Sequence, residues 1–141
     1  MLSNLNPIFV DCEIDTLQID TKKIEEKISK KTKALLVPNL IGNIPDWKKL
    51  RQIANKHKLK LMEDSADTLG ATINNKSTGI FSDISITSFY GSHIINCAGN
   101  GGALAINNDE VANKAKLLRS WGRSSSLFDE KSKLNRKHVI C

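Results

Sequence analysis

No apolar run in this chain approaches the ~20 residues needed to cross a bilayer, and its start lacks a signal-peptide pattern. Met1-Leu2-Ser3-Asn4-Leu5-Asn6-Pro7 leads almost at once into a strand-like stretch, so the expectation is a cytoplasmic protein with no membrane partner. Aromatic residues make up only 5% of the sequence, which leaves few rings to stack on nucleic-acid bases. The three cysteines, Cys12, Cys97 and Cys141, lie far apart and form no CxxC pair. That spacing supports neither a disulfide framework nor a zinc site, and a lone thiol such as Cys97 is expected to be buried packing. The GxGxxG fingerprint of dinucleotide binders is also missing. The cluster Gly99-Asn100-Gly101-Gly102 reads instead as a close-approach loop or a turn.

What is present fits one soluble domain. A chain of 141 residues buries roughly 68–70% of its unfolded surface, and 40% hydrophobic with 26% charged residues is ordinary for a globular protein. The net charge is +6, but Lys22, Lys23, Lys27, Lys30, Lys48, Lys49, Lys56 and Lys58 fall on outer helix faces. Solvated faces account for them better than a nucleic-acid surface does, and a phosphate-bearing small substrate is compatible with the sign.

Pro7–Asp11 reads as a short strand. Asp20 or Thr21 can cap a helix whose Ile24 and Ile28 form an apolar stripe. The continuous run Ala34–Pro38 predicts a strand buried on both faces. A helix follows from about Asp46 to His57, with Trp47, Leu50, Ile53 and Ala54 on one side. Leu59–Glu63, Ile84–Phe89 and Gly101–Asn107 are further strands, and a helix from about Asp109 to Trp121 places Val111, Ala115 and Leu118 along one side. This alternation predicts an α/β domain with a mainly parallel sheet and flanking helices. Both ends look cut, and the tail from Asp129 to Cys141 begins a charged pattern without finishing an element.

In open α/β sheets ligands collect beyond the carboxyl ends of the strands, where Asp64 lies. A carboxylate there can pair with a protonated ring nitrogen, or it can simply cap the next turn. In Ser88-Phe89-Tyr90-Gly91-Ser92-His93 the Ser88 hydroxyl and nearby N–H groups can hold a phosphate. Tyr90 can donate a hydrogen bond, and His93 can move a proton near neutral pH or serve as a structural imidazole.

Taken together, Glu63-Asp64-Ser65-Ala66-Asp67, Gly70-Ala71, Ser88 to His93 and Gly101-Gly102 resemble the DegT/DnrJ/EryC1/StrS family of sugar aminotransferases and dehydratases, which use pyridoxal or pyridoxamine phosphate. Val37-Pro38-Asn39-Leu40-Ile41-Gly42 with Asp46, and Leu117-Leu118-Arg119-Ser120-Trp121-Gly122, fit the same pattern. The resemblance implies part of the large, cofactor-binding domain of the aspartate aminotransferase-like (fold type I) architecture over 1–141, without the N-terminal segment and the small C-terminal domain. It also implies that Asp64 binds the pyridine nitrogen, Ala66 packs on the ring face and Ser88 contacts the phosphate. Asp67 stands where the family's aminotransferases usually carry glutamine beside the ring hydroxyl.

At position 93 those aminotransferases have the lysine that holds the cofactor covalently. Histidine has no primary amine for that bond. This pattern is similar to nucleotide-sugar 3-dehydratases acting on 4-keto-6-deoxyhexoses in deoxysugar and surface polysaccharide (lipopolysaccharide) biosynthesis, with His93 as base. One dehydratase branch adds an iron–sulfur cluster held by four cysteines and works with a partner reductase. Here Ser124-Ser125-Ser126 follow Trp121-Gly122-Arg123, so no cluster and no other metal is expected. The resemblance further implies a homodimer and a nucleotide-linked sugar substrate, and leaves a reductase partner open. An aminotransferase homologue and a non-catalytic truncated product are the competing readings.

Overall fold

Short apolar runs separated by capped helices fold into a five-stranded sheet with helices packed against it. This computed structural model describes residues 4–93 and 95–123 and the backbone of 138–140. The elements are α1 (Thr21–Lys27), β1 (Ala34–Pro38), α2 (Trp47–Lys56), β2 (Lys60–Asp64), β3 (Thr72–Ile73), β4 (Lys76–Ser77), β5 (Ile84–Ser88), β6 (Gly102–Ile106), α3 (Asp109–Arg119) and β7 (His138–Ile140). In the main sheet the order is β1-β2-β5-β6-β7, and β3 and β4 form a small separate hairpin. β1, β2 and β5 pair in parallel, whereas β6 is antiparallel to both β5 and β7. Four of the five strands therefore run one way and β6 runs against them. The expected α/β class with a mainly parallel sheet stands.

The larger apolar cluster lies on the face covered by α1 and α2, and a smaller one, Ile106 against Ala112 of α3, lies on the other face. The Asp46 carboxylate caps α2 by accepting from the Lys49 N–H, and Asp20 caps α1 in the same way through Lys22. Trp47, Leu50, Ile53 and Ala54 then face inward at helical spacing and meet Ile24 of α1 and Val37, Leu59 and Leu61 of the β1–β2 region. The eight lysines expected on outer faces are all exposed.

Five expectations are corrected. Pro7–Asp11 forms no strand; Cys12 makes a single bridge to Ile19, and Phe9 is 86% exposed. A strand needs a partner as well as a β-prone composition, and none pairs with this run among the described residues. β1 is not buried on both faces, because Leu36 is 59% exposed on the side away from α2. On α3 the buried position is Ala112, with Ala115 packed nearby on Ile106, while Leu118 points out at 74% exposure. Small residues let that helix lie close to β6, which turns the inward stripe by one position. The tail does finish an element, since His138–Ile140 pairs with β6. Residues 124–137, including the serines at 124–126, lie outside the described residues, as does Cys141. Cys97 is exposed rather than packed.

One ion cluster gives a pH expectation. Lys56 Nζ at 2.6 Å and His57 Nε2 at 2.7 Å both contact Glu25 Oε1, joining the end of α2 to α1. The Lys56 hydrogen bond, followed by that of His57, pulls the Glu25 carboxyl from 4.5 down to about 2. A lowered carboxyl stabilises the fold above its unfolded pKa, and that contribution is lost as pH falls from about 4.5 towards 2. The group is exposed and screened, so the effect is small. In urea titrations at pH 2 to 6, Glu25→Gln is expected to flatten that part of the stability profile.

Candidate functional site

Parallel strands bring their carboxyl ends to one edge of the sheet, so Pro38, Asp64 and Ser88 arrive together. β6, being reversed, begins at this same edge, with Gly102 opposite Ser88. Register decides which side chains share a face. Pro38, Asp64 and Ile86 are cross-strand partners, and Ser88 lies two residues further along β5. Asp64 and Ser88 therefore project from the same face, the one opposite α2, and are separated by roughly 7 Å along the strand direction.

Asp64 is half-buried, and its Oδ1 accepts from the Ala66 N–H at 3.0 Å. It thus closes an Asx turn, and no ion pair to it occurs among the described residues. Ala66 is half-buried above that turn, while Asp67 is exposed. Ser88 Oγ accepts from the Tyr90 N–H at 3.3 Å. The chain then turns so that the His93 N–H donates to Tyr90 O at 2.9 Å, and the two rings meet edge to face with centroids 6.1 Å apart. His93 Nδ1 lies 3.4 Å from Ser88 O. A carbonyl can only accept, so the hydrogen belongs on Nδ1 and the Nε2 lone pair is left as a base.

The glycine cluster is a close approach. A Cβ on Gly102 would lie 3.0 Å from Thr87 O, and one on Gly101 would lie 2.8 Å from Cys97 Sγ. Phe89 N–H donates to Gly101 O at 2.8 Å, which closes the base of the loop carrying Tyr90 and His93.

On the opposite face from Asp64, Glu63 is fully buried. Its Oε1 accepts from Asn39 Nδ2 at 2.7 Å, from Ser65 Oγ at 2.9 Å and from the Thr78 hydroxyl; Ser82 Oγ lies 3.5 Å from Oε2. Asn39 Oδ1 in turn accepts from the Trp47 indole at 2.8 Å. The sequence alone gives Asn39 and Glu63 no separate role. The only available hint was an acidic residue at an inward position of a buried strand. Next to this network, Gln18 brackets Leu40, donating to its carbonyl at 3.1 Å and accepting from its N–H at 3.3 Å. Ile41 is held there at φ 51°, a costly left-handed conformation for a β-branched residue.

A polar cleft of about 430 Å³ opens elsewhere, at the other end of β2, lined by Arg51, Asn55, Lys58, Lys60 and Asp83. There Arg51 pairs with Asp83 at 3.1 Å. Burial pushes the Asp83 carboxyl up, but the Leu61 N–H and Arg51 outweigh it and leave it below its usual value. No residue expected in the site lines this cleft. Among the described residues no helix is long and apolar enough to cross a membrane, and no group of three metal-ligating side chains occurs.

The chain is 38% identical over 121 residues to the lipopolysaccharide biosynthesis protein RfbH of Salmonella typhimurium, covering 86% of this chain and 28% of that protein. It is 35% identical over 116 residues to a GDP-perosamine synthase of Vibrio cholerae, covering 82% and 31%. Among solved structures it superposes on the E. coli GDP-4-keto-6-deoxy-D-mannose-3-dehydratase with bound hydrated PLP. There the TM-score is 0.75 and the identity 31%, over 92% of this chain and 33% of that one. The chain thus spans about a third of the length of these relatives. Residues 1–138 match the pattern of the DegT/DnrJ/EryC1/StrS aminotransferase family, and the chain belongs to it.

Proposed function

We propose that this chain is the cofactor-binding part of the large domain of a nucleotide-sugar 3-dehydratase that removes the C3 hydroxyl of a 4-keto-6-deoxyhexose. The observation carrying the reading is His93, whose Nε2 is left as a base beside Ser88 by the contact of Nδ1 with Ser88 O. Pyridoxal or pyridoxamine phosphate fits the residues at this edge: a carboxylate and a hydroxyl on one sheet face, with a half-buried alanine after the carboxylate. When bound, the cofactor supplies an electron sink next to the sugar carbonyl.

The chain's own residues have distinct tasks. Asp64, fixed by the Ala66 N–H through one oxygen, offers the other to the pyridine N–H. The Ser88 hydroxyl contacts the phosphate. Ala66 would give the ring a flat apolar contact, and Asp67 would serve beside the ring hydroxyl. His93 Nε2 takes a proton at the reacting face, and Tyr90 keeps the imidazole edge-on. The substrate is a nucleotide-linked sugar and the setting deoxysugar biosynthesis, in line with the names of the relatives. A homodimer completes the arrangement.

A sugar aminotransferase is the second reading, favoured by the family's description. The two separate in one experiment on the complete protein carrying this chain. It is incubated with pyridoxamine phosphate and a nucleotide-linked 4-keto-6-deoxyhexose, and products are analysed by mass spectrometry. Loss of the C3 oxygen is expected. Retention of that oxygen in every product, with a borohydride-reducible link between protein and cofactor, would establish the aminotransferase instead.

A further inference from the structure

We propose that Glu63 is a positioning residue for Asp64, aiming that carboxylate from the opposite face of β2. The inference rests on the reading of Asp64 as the partner of a pyridine nitrogen.

Three connections converge on a single oxygen of Glu63. Asn39 follows β1, Ser65 follows β2, and Thr78 opens the helical turn after β4. Each hydrogen bond has a defined direction. The Trp47 indole can only donate, so Asn39 must turn Oδ1 towards it and Nδ2 towards Glu63 and Ser65. The Ser65 hydroxyl accepts from Asn39 and passes its own hydrogen to Glu63. The same residues hold the backbone around Asp64. Asn39 N–H donates to Asp64 O at 2.8 Å, and Ser65 N–H donates to Ile86 O at 2.7 Å. Thr87 Oγ1 donates to Ser65 O at 3.3 Å. The peptide group that follows the Asp64 Cα is thus held at both its C=O and its N–H, by Asn39 and through Ser65, two residues that Glu63 orients.

Taking the carboxyl away leaves an amide and two hydroxyls without their common acceptor, in a buried place where each must find another. Asn39 and Ser65 then reorient, and the 64–66 turn loosens with them. A carboxyl that merely stabilised the fold would lower stability with no special dependence on Asp64.

The test uses the complete protein carrying this chain. Binding of pyridoxal phosphate is followed by fluorescence, and ring-labelled ¹⁵N cofactor reports the state of the nitrogen. Glu63→Ala is expected to weaken binding roughly tenfold and to move the nitrogen signal towards the unprotonated form, with Asp64→Asn at least as severe and the double variant no worse than Asp64→Asn alone. Glu63→Gln restores both readouts, because its amide oxygen keeps the three donors and its NH₂ meets the Ser82 hydroxyl. Thr78→Val removes one donor with little change of shape. It moves both readouts the same way by less, and it decides the matter should Glu63→Ala fail to fold. Wild-type readouts in Glu63→Ala or in Thr78→Val, or a double variant whose loss is the product of the single losses, would overturn the proposal. Unchanged readouts in Asp64→Asn remove the cofactor reading and this inference together, whereas a loss in Asp64→Asn alone removes only the inference.

Discussion

His93→Asn is expected to lower dehydration turnover by roughly 10²–10⁴-fold, the usual worth of a positioned general base. Asparagine keeps a donor that can face Ser88 O, so the loop retains its turn and only the Nε2 lone pair disappears. Cofactor affinity should therefore change little, and the loss should appear in turnover rather than in binding. Single-turnover kinetics with the complete protein, alongside a cofactor titration, check both halves. Retention of full turnover in His93→Asn would assign the base elsewhere.

Trp47→Ala is expected to cost about 3–5 kcal/mol, the range for removing a large buried ring. That is a large part of the ~5–15 kcal/mol by which a domain is stable at all. Trp47 is fully buried at the first turn of α2, packed among Leu50, Ile24 and Val37. Trp47→Phe separates packing from hydrogen bonding. It keeps most of the apolar volume but strips the donor from Asn39 Oδ1, at a cost of about 1–3 kcal/mol for an unpaired buried acceptor. Urea unfolding monitored by circular dichroism ranks the two. Near-wild-type stability in Trp47→Phe would mean that Asn39 finds another partner.

Most of what positions the site was legible in the sequence. The runs Ala34–Pro38, Leu59–Glu63 and Ile84–Phe89 are short and apolar and lie between clear turn signals, and each forms a strand within a residue or so of its expected bounds. Asp46 announces α2 because an acidic cap satisfies the first N–H groups whatever the fold around it. Pro7–Asp11 was misread because composition describes what a segment can do, whereas pairing depends on a distant partner. The α3 helix forms as its pattern predicts, but its facing differs, because an apolar stripe at Val111, Ala115 and Leu118 counts hydrophobicity and ignores fit: Ala112 is small enough to lie against Ile106. The strand ends bearing Asp64 and Ser88 were recognised, but the support behind them was not. Asn39 lies 24 residues before Glu63 and Thr78 lies 15 after it, and only the folded chain makes them neighbours.

The reversed direction of β6 has a consequence for how this chemistry can change. The Ser88–Gly102 pair and the bond from Phe89 to Gly101 tie both feet of the intervening loop to a rigid ladder. Residues between those feet act as an exchangeable insert. One residue at position 93 can be swapped for another without shifting any strand by a rung.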